Sequence, residues 1–226
     1  MTKTLFAAAG LAACCLAATG APALAQTGAA DYEAGTILVH IDAAGVFKDA
    51  SAKVYAEGAR VPGGSIGSPA DETITFDAAY FLSPNFAVDL YAGLPPRAVI
   101  RGAGTLSGAG TLATTNYGPA VLTGEYYFTG LGAFHPYAAA GVNYTLFLNI
   151  HHEALYDVKI PNAFGAVFKL GMDYDISPVW SAHFYVMHIF LGTRVSASLA
   201  PGDAVPAVAK ATIDPTVVGA GIGYRF

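Results

Sequence analysis

The ionisable side chains of this sequence fall at spacings that suit charge pairing better than covalent chemistry. Its imidazoles are His40, His135, His151, His152, His183 and His188. No H-E-x-x-H or G-x-S-x-G motif occurs. A lipid hydrolase needs a serine nucleophile near a histidine and a carboxylate, and no such cluster is apparent. His151-His152-Glu153 could catch a metal ion from an external loop, although adjacent histidines on a strand would point apart. The expectation is therefore no enzyme, no cofactor and no metal. What remains is a set of charges, Asp77, Asp89, Glu125, Lys169, Asp173 and Arg225, each at the polar position of an alternating run.

Those runs have period two, the signature of strands. They cover residues 37–43, 74–82, 86–92, 122–128, 138–148, 164–176, 180–190 and 218–226, eight in all. Links of 83–85, 129–134 and 177–179 are short, whereas 48–71, 94–112, 149–161 and 191–212 are long. Short and long links alternate, with both termini beside the short ones, as in outer-membrane barrels. Aromatic residues cluster at the short-turn ends (Tyr80, Phe86, Tyr126, Phe128, Tyr174, Trp180, Tyr224, Phe226), where an interfacial girdle belongs. The long links, rich in Gly, Ala, Ser and Pro, read as mobile loops.

Composition agrees. Of 226 residues, 54% are apolar and 12% charged, against about 25% charged in soluble domains. Acidic residues outnumber basic ones 16 to 11, so no basic stripe offers itself to nucleic acid. Lys3, an apolar stretch over 5–18, Pro22 and Ala23-Leu24-Ala25 read as a secretory signal, residues 1–25, cleaved before Gln26. Residues 26–226 then form the barrel domain, without Cys14 and Cys15. A lipoprotein site at Leu11-Ala12-Ala13-Cys14 is the competing reading, and would leave a very short signal. The best helical span, 131–150, contains His135, Pro136, Gly141, Asn143 and Asn149, and is a poor one. A soluble lipocalin-type barrel would also alternate, but the girdle and the asymmetric links favour lipid.

Several segments resemble the OmpW family of outer-membrane proteins. Pro136-Tyr137-Ala138-Ala139-Ala140-Gly141-Val142-Asn143-Tyr144-Thr145 is similar to its P-Y-x-G-A-G-x-N-Y-T segment, with Ala139 where the family usually has Gly. Tyr117-Gly118-Pro119 ahead of Glu125-Tyr126-Tyr127-Phe128 resembles L-P-P…Q-W-Y-F, and Asp214-Pro215 with the closing Gly223-Tyr224-Arg225-Phe226 resembles D-P…G-Y-R-F. The resemblance implies an eight-stranded all-β transmembrane barrel in the Gram-negative outer membrane, with a narrow, apolar lumen passing small hydrophobic compounds, with sideways exit through the wall as one route. Tyr224 and Phe226 look like the signal read by the outer-membrane assembly machinery.

Two lumen regions are expected. Toward the short turns, Asp77, Asp89, Glu125, Lys169, Asp173 and Arg225 would pair into a plug. Toward the long links, Leu38, Val121, Phe147, Met187 and Ile189 would line an apolar pocket, or else simply pack together. Gly219, Gly221 and Gly223 leave an inward strip to be filled by Tyr185 and Met187, by Leu38 and His40, or by a ligand. A Gly221→Leu barrel is expected to assemble yet take up less solute. Two functions follow: a monomeric barrel passing or capturing hydrophobic solutes by passive diffusion, or a sealed structural or adhesion barrel whose loops bind partners.

Overall fold

The structure, a computed structural model, describes residues 32–200 and 205–226, apart from the side chain of His152. The expected signal peptide, with Cys14 and Cys15, lies outside the described residues. Eight long strands form the wall: β1 (Ile37–Lys48), β2 (Asp71–Ser83), β3 (Phe86–Gly93), β4 (Thr111–Tyr127), β5 (Phe134–His152), β6 (Ala163–Asp175), β7 (Trp180–Ser198) and β8 (Pro215–Arg225). Each pairs antiparallel with its neighbours in chain order. β1 also pairs with β8, from Leu38↔Arg225 to Lys48↔Pro215, so the sheet closes on itself. Closure removes both edges and lets the backbone satisfy itself where water is absent. Among the described residues no helix is long and apolar enough to cross a membrane.

The expected parity holds on every wall strand. Outward side chains are large and apolar, with Phe164 75% and Leu170 66% exposed, while Asp89, Asp173 and Asn143 on the inward parity are fully buried. A continuous apolar coat of this extent far exceeds what a soluble monomer shows, and lipid is its solvent. At the short-turn end the outward rings pack edge to face: Trp180 with Tyr224 at 4.7 Å, Tyr224 with Phe226 at 4.6 Å, Phe134 with Tyr174 at 4.9 Å.

The long links differ from expectation. They are largely sheet: short strands Ser51–Ala56, Ala59–Arg60, Gly64–Gly67, Arg97–Gly104, Tyr156–Lys159 and Pro206–Thr212 build a rim above the barrel. β4, β5 and β7 run into the same rim. His151 and His152 are thus ladder residues facing Thr114 and Ala113, not a loop.

Candidate functional site

The lumen is stacked in layers from the short-turn, periplasmic end upward. At the mouth, Tyr32 enters from the N-terminal side and packs on Phe81 (4.3 Å), His135 (4.8 Å) and Tyr127 (5.2 Å). Burial there pushes the Tyr32 phenol well above its ordinary range. The Arg225 guanidinium lies over the Tyr32 ring at 4.4 Å and donates to both Asp175 oxygens at 3.0 and 3.2 Å. His135 Nε2 sits 3.0 Å from the same carboxylate. Arg225 stands at the mouth and pairs there with Asp175.

Above the mouth comes a layer of ions. Lys169 Nζ donates to Asp89 and Glu125, each at 3.1 Å, and lies 3.8 Å from Asp77. The rings of Tyr137, Tyr185 and Tyr91 surround it at 5.2, 5.5 and 6.0 Å. Beside it, His40 bridges Asp77 through Nδ1 and Asp173 through Nε2. Each ring nitrogen of His40 thus faces a carboxylate oxygen. His183 stacks on His40 at 3.8 Å and binds Asp42 (2.9 Å) and the Tyr137 hydroxyl (2.8 Å). Ser181 donates to Asp173 at 2.9 Å. All these side chains are buried. His40, His183 and Asp173 bring potential metal-ligating atoms within 4.8 Å of one another, as do Asp42, Asp77 and His183. Both nitrogens of each ring already have hydrogen-bonding partners, so the geometry is that of a paired network.

A tyrosine layer caps the ions. Tyr185 OH meets Thr75 Oγ1 at 3.0 Å and Tyr91 OH at 3.2 Å. Val121, Val167 and Met187 pack at this level in one buried cluster with both tyrosines. Above it opens an apolar cavity of about 80 Å³, walled by Phe147, Ile189, Leu191, Ile213 and Val217. Lys48 is the one charge lining it among the described residues. It is paired with Asp71, which also accepts from the Tyr117 hydroxyl at 3.0 Å.

The cavity reaches the wall. The β3–β4 ladder stops at Ala92↔Ala120 and resumes at Arg97↔Asn116. In between, Pro95 lies against Gly118 and Pro96 against Tyr117, and proline has no N–H to donate. Leu94 turns away to the carbonyl of Ile74 (2.9 Å). Pro95 lies over Gly118, where an added Cβ would meet it at 3.4 Å. Gly93, Leu94, Pro96 and Pro119 all line the cavity. The seam there is closed by packing, by one long backbone bond from Tyr117 to Pro96 at 3.3 Å, and by Asn116 Nδ2 donating to the Pro95 carbonyl at 3.1 Å.

The sequence-derived residues thus divide. Phe147 and Ile189 line the cavity; Val121 and Met187 pack just below it. Leu38 does not belong to the pocket, because β1 starts at the periplasmic end and sets it in the mouth cluster with Tyr32 and Phe81. The glycine strip is filled by protein: a Cβ at Gly219 would strike the Tyr185 ring, and at Gly223 would strike Ser181 and His40. At Gly221 it would strike the backbone of β1 at Ile41 and Asp42, so Gly221→Leu is expected to disturb the β1–β8 pairing and with it assembly. Asp77, Asp89, Glu125, Lys169 and Asp173 do come together. Sequence reasoning missed Asp42 and Asp175, and did not place His40, His183 and His135 in the plug; their inward parity was the available signal. Nothing singled out Pro95 and Pro96.

Comparison with known proteins accords with this architecture. Outer membrane protein AlkL of Ectopseudomonas oleovorans is 33% identical over 169 residues, 75% of this chain and 72% of its own. Dibenzothiophene metabolism operon protein PahQ of Pseudomonas aeruginosa is 35% identical over 178 residues, 79% of this chain and 82% of its own. The crystal structure of the outer membrane protein OprG from Pseudomonas aeruginosa superposes with a TM-score of 0.79 at 25% identity, covering 86% of this chain and 97% of that one. The OmpW family profile matches residues 33–226. With the closed barrel, its lipid-facing coat and these relatives together, the chain is an outer-membrane β-barrel and belongs to the OmpW family.

Proposed function

We propose that the barrel takes up small hydrophobic molecules from outside and releases them through its wall into the bilayer. The observation that carries this reading is the apolar cavity that reaches a seam lacking ladder pairs while a buried ion network lies beneath it. A solute entering from the rim meets apolar walls, whereas the straight path to the periplasm would require breaking charge pairs. Leaving at Gly93–Pro96 displaces side-chain packing and two hydrogen bonds, from Tyr117 N–H to Pro96 and from Asn116 Nδ2 to Pro95, and leads from one apolar phase to another. No step requires an energy source, so movement follows the solute's own gradient. PahQ is named for a dibenzothiophene metabolism operon; dibenzothiophene is an apolar tricycle, the class of solute such a cavity suits. In this reading Phe147 and Ile189 touch the solute, Val121 and Met187 shape the floor, and Leu38, Gly219 and Gly221 serve the plug. Tyr224 and Phe226 present the terminal strand to the assembly machinery, and the closed wall works as a monomer.

The test is uptake of an apolar fluorescent probe by liposomes holding the purified protein. Ile189→Asp places a charge against the cavity and is expected to cut uptake severalfold in a folded barrel. Equal uptake by the folded variant, or no uptake by the native barrel, would favour the alternative reading, a sealed barrel acting through its rim, which the filled lower lumen supports.

A further inference from the structure

Five of the chain's eleven basic residues, Lys53, Arg60, Lys159, Arg194 and Lys210, are exposed on the rim, in a protein with an acidic balance. The register puts them on one face of one sheet. Arg194 on β7 stands opposite Lys210 on the strand Pro206–Thr212, and Lys210 stands opposite Lys53 on Ser51–Ala56. Arg60 faces Tyr55, two residues from Lys53, and Lys159 faces Ser196, two from Arg194. Their neighbours Thr193, Val195 and Ala211 line the cavity, so the cations point outward. Among the described residues none of the five pairs with a carboxylate, and Lys210 lies 5.9 Å over the Tyr55 ring. Like charges directly opposite across a sheet repel, and three in a row is an arrangement that an external anion would relieve.

The height of the row identifies that anion. On β7 the outward residues run from Trp180 in the aromatic girdle through Phe184 and Phe190 to Arg194. Ten residues at ~3.3 Å each, tilted about 40°, lift Phe190 roughly 25 Å above Trp180, the full apolar band of such a barrel. Arg194 then stands about 10 Å higher on the same outer surface, at the level of the outer headgroups. We propose that this row docks the phosphates of an anionic glycolipid in the outer leaflet. A flat, open row without a cradle is poorly built for a free ion, but a lipid confined beside the wall is presented at high local concentration.

The experiment uses the folded protein in neutral detergent, with native mass spectrometry counting retained lipid. Bisphosphorylated lipid A is expected to be retained about tenfold better than its dephosphorylated form. The triple variant Lys53→Gln, Arg194→Gln, Lys210→Gln should lose that preference, and should fold, because it removes repulsion. The pair Arg97→Gln, Arg101→Gln, on another rim strand, should keep it. The proposal is overturned if the folded triple variant retains the preference, or if the control pair loses it equally. Full displacement by excess inorganic phosphate would also overturn it, in favour of a free-anion site.

Discussion

Lys169 is buried among three carboxylates, and its removal leaves their charge without its central cation. Lys169→Met would keep most of the volume but leave Asp89 and Glu125 as buried, mutually repelling groups without their cation, beside an Asp77 still held by His40. Breaking a buried pair in this way costs about 3–5 kcal/mol. The expected readout is a lower urea midpoint for the barrel refolded in detergent, and an unchanged midpoint would show that the network contributes little. Gly221 is demanding for a different reason. Its neighbour is the backbone of β1 rather than a movable side chain, so Gly221→Leu is expected to reduce the yield of folded, heat-modifiable barrel on gel electrophoresis. A yield equal to the native chain's would show that the strand pair relaxes.

At the scale of elements, the break between β3 and β4 is the feature to test. Replacing Pro95 and Pro96 with valine restores backbone N–H groups beside Tyr117 and Gly118, which favours a continued ladder. Uptake of an apolar probe should fall while thermal stability holds or rises; uptake that stays the same would locate the exit elsewhere. The wall strands themselves were legible in sequence because lipid on one side and lumen on the other impose a sharp period of two, as in residues 164–176. The rim strands were not. In Ser51–Ala56 both faces meet mixed surroundings, with every residue exposed or half-buried, so alternation carries little hydrophobic contrast. Leu38 shows the matching limit at the site: parity says that it faces inward, but only chain direction says at which end. The pairing of Arg225 with Asp175, and of His40 with two acids on different strands, depends on where strands sit around the barrel, which alternation does not encode.

For the whole molecule, the stacked layers separate two kinds of permeation. Tyr32, the ion layer and the tyrosine cap fill the lower lumen, so planar bilayers holding the protein should show little steady ionic current while apolar uptake persists. Regular conductance steps like those of an open pore would contradict a filled lumen. The same ion layer also bears on how the cylinder chooses its alignment. His40 and Asp42 lie on β1, the first strand made, while their partners Asp77, Asp173 and His183 lie on β2, β6 and β7. An offset of two residues between β1 and β2 would preserve every outward apolar side chain, so lipid would not detect it. Inside, however, one such offset would set Asp42 against Asp77, and the other would set Leu38 there and leave His40 facing Thr75. The buried charges therefore act as the wards of a lock, which only the correctly aligned cylinder can turn.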